Sequence, residues 1–361
     1  MKHLLIIVTI IFSLLSCQNE STATSVTSSG MSGTLPKANG QAGLMLVSIE
    51  NSLWNGQIEA IFNEKFADTA QGPYIYLEHV FDFVQEDPST VNDIRKKNRN
   101  FLRIILETDK EYDQTEALIK TDFKASGQLY VVIRDSNKDR LTAFLNKELK
   151  TYIALFNLEE SDRLINKYNS DNNNSFDKVA QEKFGISISV PSSAEFKANK
   201  DSIIYALDRH VDETTRDNPN TGAKGGTYWS QKGILIWSSP YLGEESMEPM
   251  TIIGTRDTTL KYNVKGTVEG SYMATELSPS RRPKFEYFEL NHTKAVKIEG
   301  LWKHDGNPAA SGGGPFVQYS IVHPNRGSVV HVSTHVFAPR FNKREYIREI
   351  RAMLGTIVLV E

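Results

Sequence analysis

Cys17 is the only cysteine among 361 residues, and it ends the run MKHLLIIVTIIFSLLSC. Whatever follows must therefore fold without a disulfide, a thiolate-bound metal or a cysteine nucleophile. The run itself has the layout of a lipoprotein export signal. Lys2 gives the charged start, Leu4 to Leu15 the apolar stretch, and Ser16 the small residue before a cysteine to be acylated. It is too short for a comfortable membrane span. The expectation is a signal peptide over 1–16 and lipid on Cys17 as the membrane anchor. Two or more acyl chains, at about 0.8 kcal/mol per buried methylene, hold a protein where one would not. Gln18 stands where an Asp signals inner-membrane retention in some bacteria, so the outer membrane is expected. Gln18-Asn19-Glu20-Ser21 carries one acid rather than an acidic cluster, so the body is expected to face the periplasm.

Charge is nearly balanced, with 41 Lys and Arg against 44 Asp and Glu, which gives no overall pull toward nucleic acid. The length suits two domains, and no later apolar run reaches membrane-spanning length. Residues 17–41, rich in Ser, Thr, Gly and Asn, read as a flexible tether.

The expected fold class is α+β, with two layered domains of α/β type. The first, 42–173, is expected to hold a sheet with alternating helices. Strands are predicted at 44–49, 74–84, 101–107 and 129–134. Helices are predicted after Ser52, at 90–98, at 112–121, and from Lys138 with Leu141, Leu145, Leu149, Tyr152, Ile153 and Phe156 at helical spacing. The Asn-rich segment Tyr168–Asn174 is read as a hinge. The second domain, 174–361, is read as an antiparallel sheet with helices laid on it. Its strands are predicted at 201–209, 227–230, 233–239, 285–290, 294–303, 315–323 and 328–337, the last two joined by the Pro324–Gly327 turn. A helix at about 247–263 is expected to take Ser246 as cap and to align Met250, Ile253, Asp257 and Leu260. A closing helix at 342–357 is expected to begin on an Asn342/Glu345 capping box.

LWNGQ (53–57), GTRDTTLKYNVKG (254–266), GLW (300–302), GGPF (313–316) and FAPRFNKREYIREIRAML (337–354), with the N-terminal cysteine signal, resemble a lipoprotein family of Bacteroidota known as a domain of unknown function. The resemblance implies export and lipidation, and no assigned activity. The element order of 184–361 is also similar to the PsbP-like α-β-α sandwich, whose members usually serve as accessory or binding modules.

For chemistry, His331 and His335 are the first candidates. No HExxH is present, and on a strand two residues four apart lie about 13 Å from each other, too far to chelate one ion. They are expected to face solvent, with Val330, Val332, Thr334 and Val336 on the core side, and with Ser320 near His331 and Phe316 near His335. Trp302 and Phe316 flank the glycine loop containing Gly313 and Gly314, which makes these residues, with the two histidines, a candidate ligand or partner surface. The plainer reading of the glycines is close backbone approach. No GxSxG or SxxK is found, and the acids Asp82, Glu86, Asp87, Glu244, Glu245 and Glu248 are expected to be surface charges. Arg95–Arg99 is a compact basic run that an anionic surface would attract, and its plainer reading is a solvated loop before strand 101–107. Asp68-Thr69-Ala70, Asp201-Ser202-Ile203 and Asp257-Thr258-Thr259 match a short O-glycosylation pattern.

The reading is a lipid-anchored envelope protein, a non-enzymatic binding or assembly module, with neither metal, cofactor nor catalytic residue assigned. Beyond the membrane, its expected partner is an envelope protein or glycan. The alternative is an envelope hydrolase acting on a glycan or peptidoglycan-type substrate near Trp302 and Phe316.

Overall fold

Alternating apolar strands and long amphipathic helices sort the chain into two compact units. One comprises Met1–Gly40, Leu46–Ile58 and Val84–Lys147, and the other Gln41–Met45, Glu59–Phe83 and Glu148–Glu361. The structure, a computed structural model, describes residues 25–26, 35–54, 56–67, 72–73, 78–214, 217–218 and 222–360. Cys17, the signal segment, Asp68-Thr69-Ala70 and residues 74–77 lie outside the described residues. Among the described residues no helix is long and apolar enough to cross a membrane.

The N-terminal sheet has the order β1-β5-β6-β4-β2-β3. Its strands are β1 (Ser25–Val26), β2 (Leu44–Ser48), β3 (Asp82–Glu86), β4 (Asn100–Leu106), β5 (Glu116–Thr121) and β6 (Leu129–Asp135). The three strands β2, β4 and β6 run parallel. FLRIIL and LYVVIR are near-continuous apolar runs, as interior parallel strands require. The helix expected at 112–121 is instead β5, paired antiparallel with β6, because Leu118 and Ile119 gain partners in Val132 and Val131 that an isolated helical turn lacks. The helix expected at 90–98 shrinks to a 3₁₀ turn at Arg95–Lys97. Parts of the expected tether are ordered. Ser25–Val26 pairs with Leu118 and Ile119, and Ala38 and Asn39 donate to the carbonyls of Ser126 and Lys97 at 2.9 and 3.0 Å.

Helices α1 (Asn51–Trp54) and α2 (Gln57–Phe66) follow β2, and α3 (Lys138–Ser170) follows β6. The side chain of Asn137 accepts from Arg140 N at 2.9 Å, which sets the start of α3. The Asn-rich segment after it makes defined hydrogen bonds. Asn173 caps α4 (Asn174–Phe184) by accepting from Phe176 N at 3.0 Å, and Asn172 accepts from Val190 N at 3.0 Å.

The C-terminal sheet is antiparallel, in the order β11-β13-β14-β15-β10-β9-β8, with β12 also paired to β13. Its strands are β8 (Glu195–Lys200), β9 (Ile203–Thr214), β10 (Gly226–Pro240), β11 (Tyr272–Thr275), β12 (Lys284–Leu290), β13 (Thr293–Asp305), β14 (Gly313–His323) and β15 (Ser328–Phe337). A separate short pair joins β7 (Ile186–Ser187) to β16 (Val358–Leu359). The two strands predicted at 227–239 are one strand, β10, and β8 and β11 are additional.

Period-two alternation divides this sheet into two faces. Ile204, Ile234, Ile236, Val330 and Val332 pack against α4 and α6 (Arg344–Leu354). Tyr205, Leu235, Trp237 and Phe316 pack against α5 (Pro249–Asn263). The result is an α-β-α sandwich. The buried side of α5 is Ile252, Ile253, Arg256 and Leu260, whereas Met250 is exposed. Its N-cap is Glu248 with Pro249 at the first helical position, so Ser246 is not the cap. The expected capping box on α6 is also replaced. Glu78 accepts from the backbone N–H groups of Lys343 and Arg344 at 2.6 and 2.8 Å.

Candidate functional site

The β14–β15 register places Phe316 opposite His335 and Ser320 opposite His331, as expected. The expected exposure of these histidines is overturned. Helix α5 covers their face of the sheet, and each histidine is 1% exposed. His331 stacks on Trp237 with centroids 5.0 Å apart, and its ring nitrogens lie 2.9 Å from Ser320 Oγ and Ser239 Oγ. His335 lies 5.9 Å, ring to ring, from both Tyr205 and Trp302, and neither of its nitrogens has a hydrogen-bond partner. Burial pushes both imidazoles down to about 3, with Arg256 adding to the effect at His335. Both are therefore neutral near pH 7.

Trp302 is 3% exposed and donates through Nε1 to Val336 O at 3.0 Å. Phe316 is fully buried, with the Arg256 guanidinium 3.9 Å from its ring centre. Arg256 is itself buried and donates to Thr275 Oγ1 at 2.7 Å, and burial pushes it down to about 10. A Cβ on Gly314 would lie 2.0 Å from Val336 O, so that glycine serves close strand approach. Half-buried Gly313 pairs with Lys303 at the rim. Trp302, Gly314, Phe316 and His335 are thus brought together, with His331 further along β15, but as interior packing. They do not form a ligand or partner surface.

The opposite face carries a different constellation. Along the β9–β10 pair the inward positions run Ile204/Ile236, Ala206/Ile234, Asp208/Lys232 and His210/Ser230, so an apolar row turns polar toward one end. Lys232 Nζ lies 3.1 Å from Asp208 Oδ2 and 2.6 Å from Glu349 Oε2 of α6. His210 Nε2 lies 2.8 Å from Asp208 Oδ2, and Ser193 Oγ donates to Asp208 Oδ1 at 2.7 Å. This network borders a cleft of about 240 Å³ whose lining includes Tyr168, Asp208, His210, Lys232, Tyr346 and Glu349. Tyr168 is 1% exposed, and among the described residues its hydroxyl has no hydrogen-bond partner.

The charges in the cleft are held fixed. Burial pushes the Asp208 carboxyl up, but the Lys232 ammonium and the hydrogen bonds from His210 and Ser193 outweigh it and leave the group below its ordinary value. Burial would lower Lys232, yet Glu349 and Asp208 prevail and raise it. Burial, reinforced by Glu349 and Asp208, raises Tyr168 far above the ordinary phenol range. The Asp208 carboxylate therefore acts as a standing acceptor, and the Lys232 ammonium and the phenol stay protonated. This site is not among those expected from the sequence, where its local signal is a Lys and an Asp standing in the apolar phase of two strands.

The acids expected at the surface have separate partners or lie exposed. Glu86 pairs with Arg95, Glu244 with Lys294 and Asp82 with Arg344, and Asp87 accepts from Asn51 N. Asp257 accepts from Thr275 N and Oγ1 at 2.9 and 2.6 Å. Ser202 lies in an exposed turn and Thr258 on the exposed side of α5. Among the described residues, no three His, Cys, Asp or Glu side chains gather as a metal site.

Residues 173–356, which carry both faces of this sandwich, match the family described as a domain of unknown function, DUF4837. The chain belongs to that family. A second domain of unknown function, DUF8532, matches residues 38–169. No curated protein matches the chain. Two solved structures are similar over part of it, the Ran-binding protein Mog1p of Saccharomyces cerevisiae and a point mutant of Mog1. Each is 11% identical, with 49% of this chain and 91% or 92% of theirs covered at a TM-score of 0.28. A likeness at that level carries no functional argument. The charged cleft lies within the DUF4837 region, apart from Lys167 and Tyr168 of α3 and Asp171 just after it.

Proposed function

We propose that the chain is a lipid-anchored cell-envelope protein, held through Cys17 in the outer membrane and facing the periplasm. In this reading it works by binding, and its DUF4837 cleft takes a hydroxyl-rich ligand such as one sugar unit of an envelope glycan. The observation that carries it is the Asp208–Lys232–Glu349 set beside the unspent Tyr168 hydroxyl. General acid–base catalysis needs a group that trades its proton near the working pH. Asp208 is held ionised and Lys232 protonated, so neither suits that task. A fixed acceptor, a fixed donor and one free phenol suit a sugar, because each of its hydroxyls both donates and accepts. Ionised partners make such hydrogen bonds about twice as strong as neutral ones. The hydrolase alternative near Trp302 and Phe316 loses its basis, since both rings are buried beneath α5.

The test is a thermal-shift panel on the purified full chain in detergent, using peptidoglycan fragments and envelope-type disaccharides, with product analysis of the same mixtures. Stabilisation by at least one saccharide without product formation is expected. Product formation lost on replacing one acid or histidine would overturn the binding reading, and so would a panel without any shift. Cys17→Ala is expected to release the protein from membranes; continued retention would contradict the anchor.

A further inference from the structure

The N-terminal unit carries a second cavity, of about 370 Å³, on the face of its sheet. Phe101 and Tyr130 form its floor, stacked 4.6 Å apart. Lys96, Arg103 and Lys124 are its charged lining residues. Lys96 is paired with Asp93 at 3.1 Å. The Arg103 guanidinium lies beside the Tyr130 phenol, and the Lys124 ammonium lies over the Phe123 ring at 4.6 Å. Among the described residues, no carboxylate pairs with Arg103 or Lys124. The cavity therefore presents net positive charge beside apolar surface.

Two further observations say what this face meets. Ile94, just before the 3₁₀ turn that holds Lys96, is 68% exposed. A branched apolar side chain standing in solvent beside cations is the composition of a membrane-contacting surface. The N-terminal segment also enters the body here. Asn39 N donates to Lys97 O at 3.0 Å, Asn39 Nδ2 to Ile94 O at 2.8 Å, and Ala38 N to Ser126 O at 2.9 Å. Upstream, Ser25 pairs with Leu118 at the edge of the same sheet. The eight residue-to-residue steps from Cys17 to Ser25 reach at most roughly 28 Å when extended. A lipid on Cys17 thus keeps this unit close to the bilayer.

We infer that the N-terminal unit docks on the anionic phospholipid surface that holds the anchor. Ile94 enters the headgroup layer, and Lys96, Arg103 and Lys124 bind lipid phosphates. The inference rests on Cys17 being the anchor. Anionic leaflets attract each nearby cation with an effect of roughly fivefold in affinity.

The experiment places the purified, acylated full chain in nanodiscs of phosphatidylcholine alone or with one-third phosphatidylglycerol, and follows amide hydrogen exchange. Slower exchange at 92–103 and 120–126 is expected only in the anionic discs. It should be lost in high salt and in Arg103→Glu/Lys124→Glu, and weakened in Ile94→Asp. Unchanged exchange in the C-terminal sheet reports that the variants fold. Equal exchange in both discs would overturn the docking. Equal protection by soluble glycerol phosphate in detergent would also overturn it and leave a small-anion site instead. A Cys17 without acyl mass would remove the anchor, and the inference with it, and mass spectrometry separates that failure from loss of docking.

Discussion

The imidazole of His335 fills the space above Gly233 on the neighbouring strand. A Cβ built on Gly233 would lie 2.0 Å from its Cε1 and 2.5 Å from its Nε2. The glycine and the histidine therefore fit only as a pair. Gly233→Ala is expected to cost about 1–3 kcal/mol through overpacking. In a His335→Ala background the same change should cost almost nothing. Urea denaturation of the four proteins measures this, and an equal cost in both backgrounds would contradict the pairing.

Two neutral, buried histidines make the fold sensitive to acid. Unfolding returns His331 and His335 to water, where each takes a proton below 6.5, while in the fold each stays neutral down to about 3. Between those values the unfolded chain binds more protons, so stability falls as pH falls. The slope reaches about 1.4 kcal/mol per pH unit for each histidine, and above pH 6.5 the contribution is complete and flat. Urea midpoints should decline from pH 7 to 5, and His335→Leu should flatten the decline by about half. Midpoints constant over that range would refute the assignment.

Lys232 neutralises two carboxylates at once. Lys232→Met leaves Asp208 and Glu349 facing each other without a cation, and is expected to cost about 3–5 kcal/mol. The triple variant Asp208→Asn/Lys232→Met/Glu349→Gln should recover most of that loss. Thermal unfolding of the two variants checks this. A triple variant as unstable as the single one would mean that charge is not the cause.

Glu78 supplies a cap that the local sequence of α6 lacks. Glu78→Ala should cost about 1–2 kcal/mol, because the first turn loses both acceptors. Hydrogen exchange at Lys343 and Arg344 should accelerate, while the last turn of α6 is affected less. Unchanged exchange at these two amides would contradict the capping role.

Much of the fold is legible from local patterns. The apolar periods of α3 and α6, the β14–β15 turn and the Ser320–His331 register all follow from residues near one another in sequence. Alternation tells which residues share a face of a sheet, but not whether a second layer covers that face. His331 and His335 look solvent-facing until α5, contributed by residues 249–263, is laid over them. The cleft escaped notice for a related reason. Lys232 and Asp208 stand in the apolar phase of their strands, yet Glu349, which completes the network, lies 117 residues from Lys232. Glu78 lies 265 residues from Lys343, so a local capping box is the natural but mistaken reading. In β5, EALIKT contains good helix formers, and pairing with β6 decides otherwise.

The binding account turns on the Tyr168 hydroxyl, which is buried, protonated and without a partner on the wall of the charged cleft. The most direct measurement is calorimetric titration of the full chain and of Tyr168→Phe with the saccharide that gives the largest thermal shift. The account predicts about fivefold weaker binding by the variant, the worth of one hydrogen bond, with a melting temperature no lower than that of the parent. Equal affinity in the two proteins, or no saccharide bound by either, would contradict it.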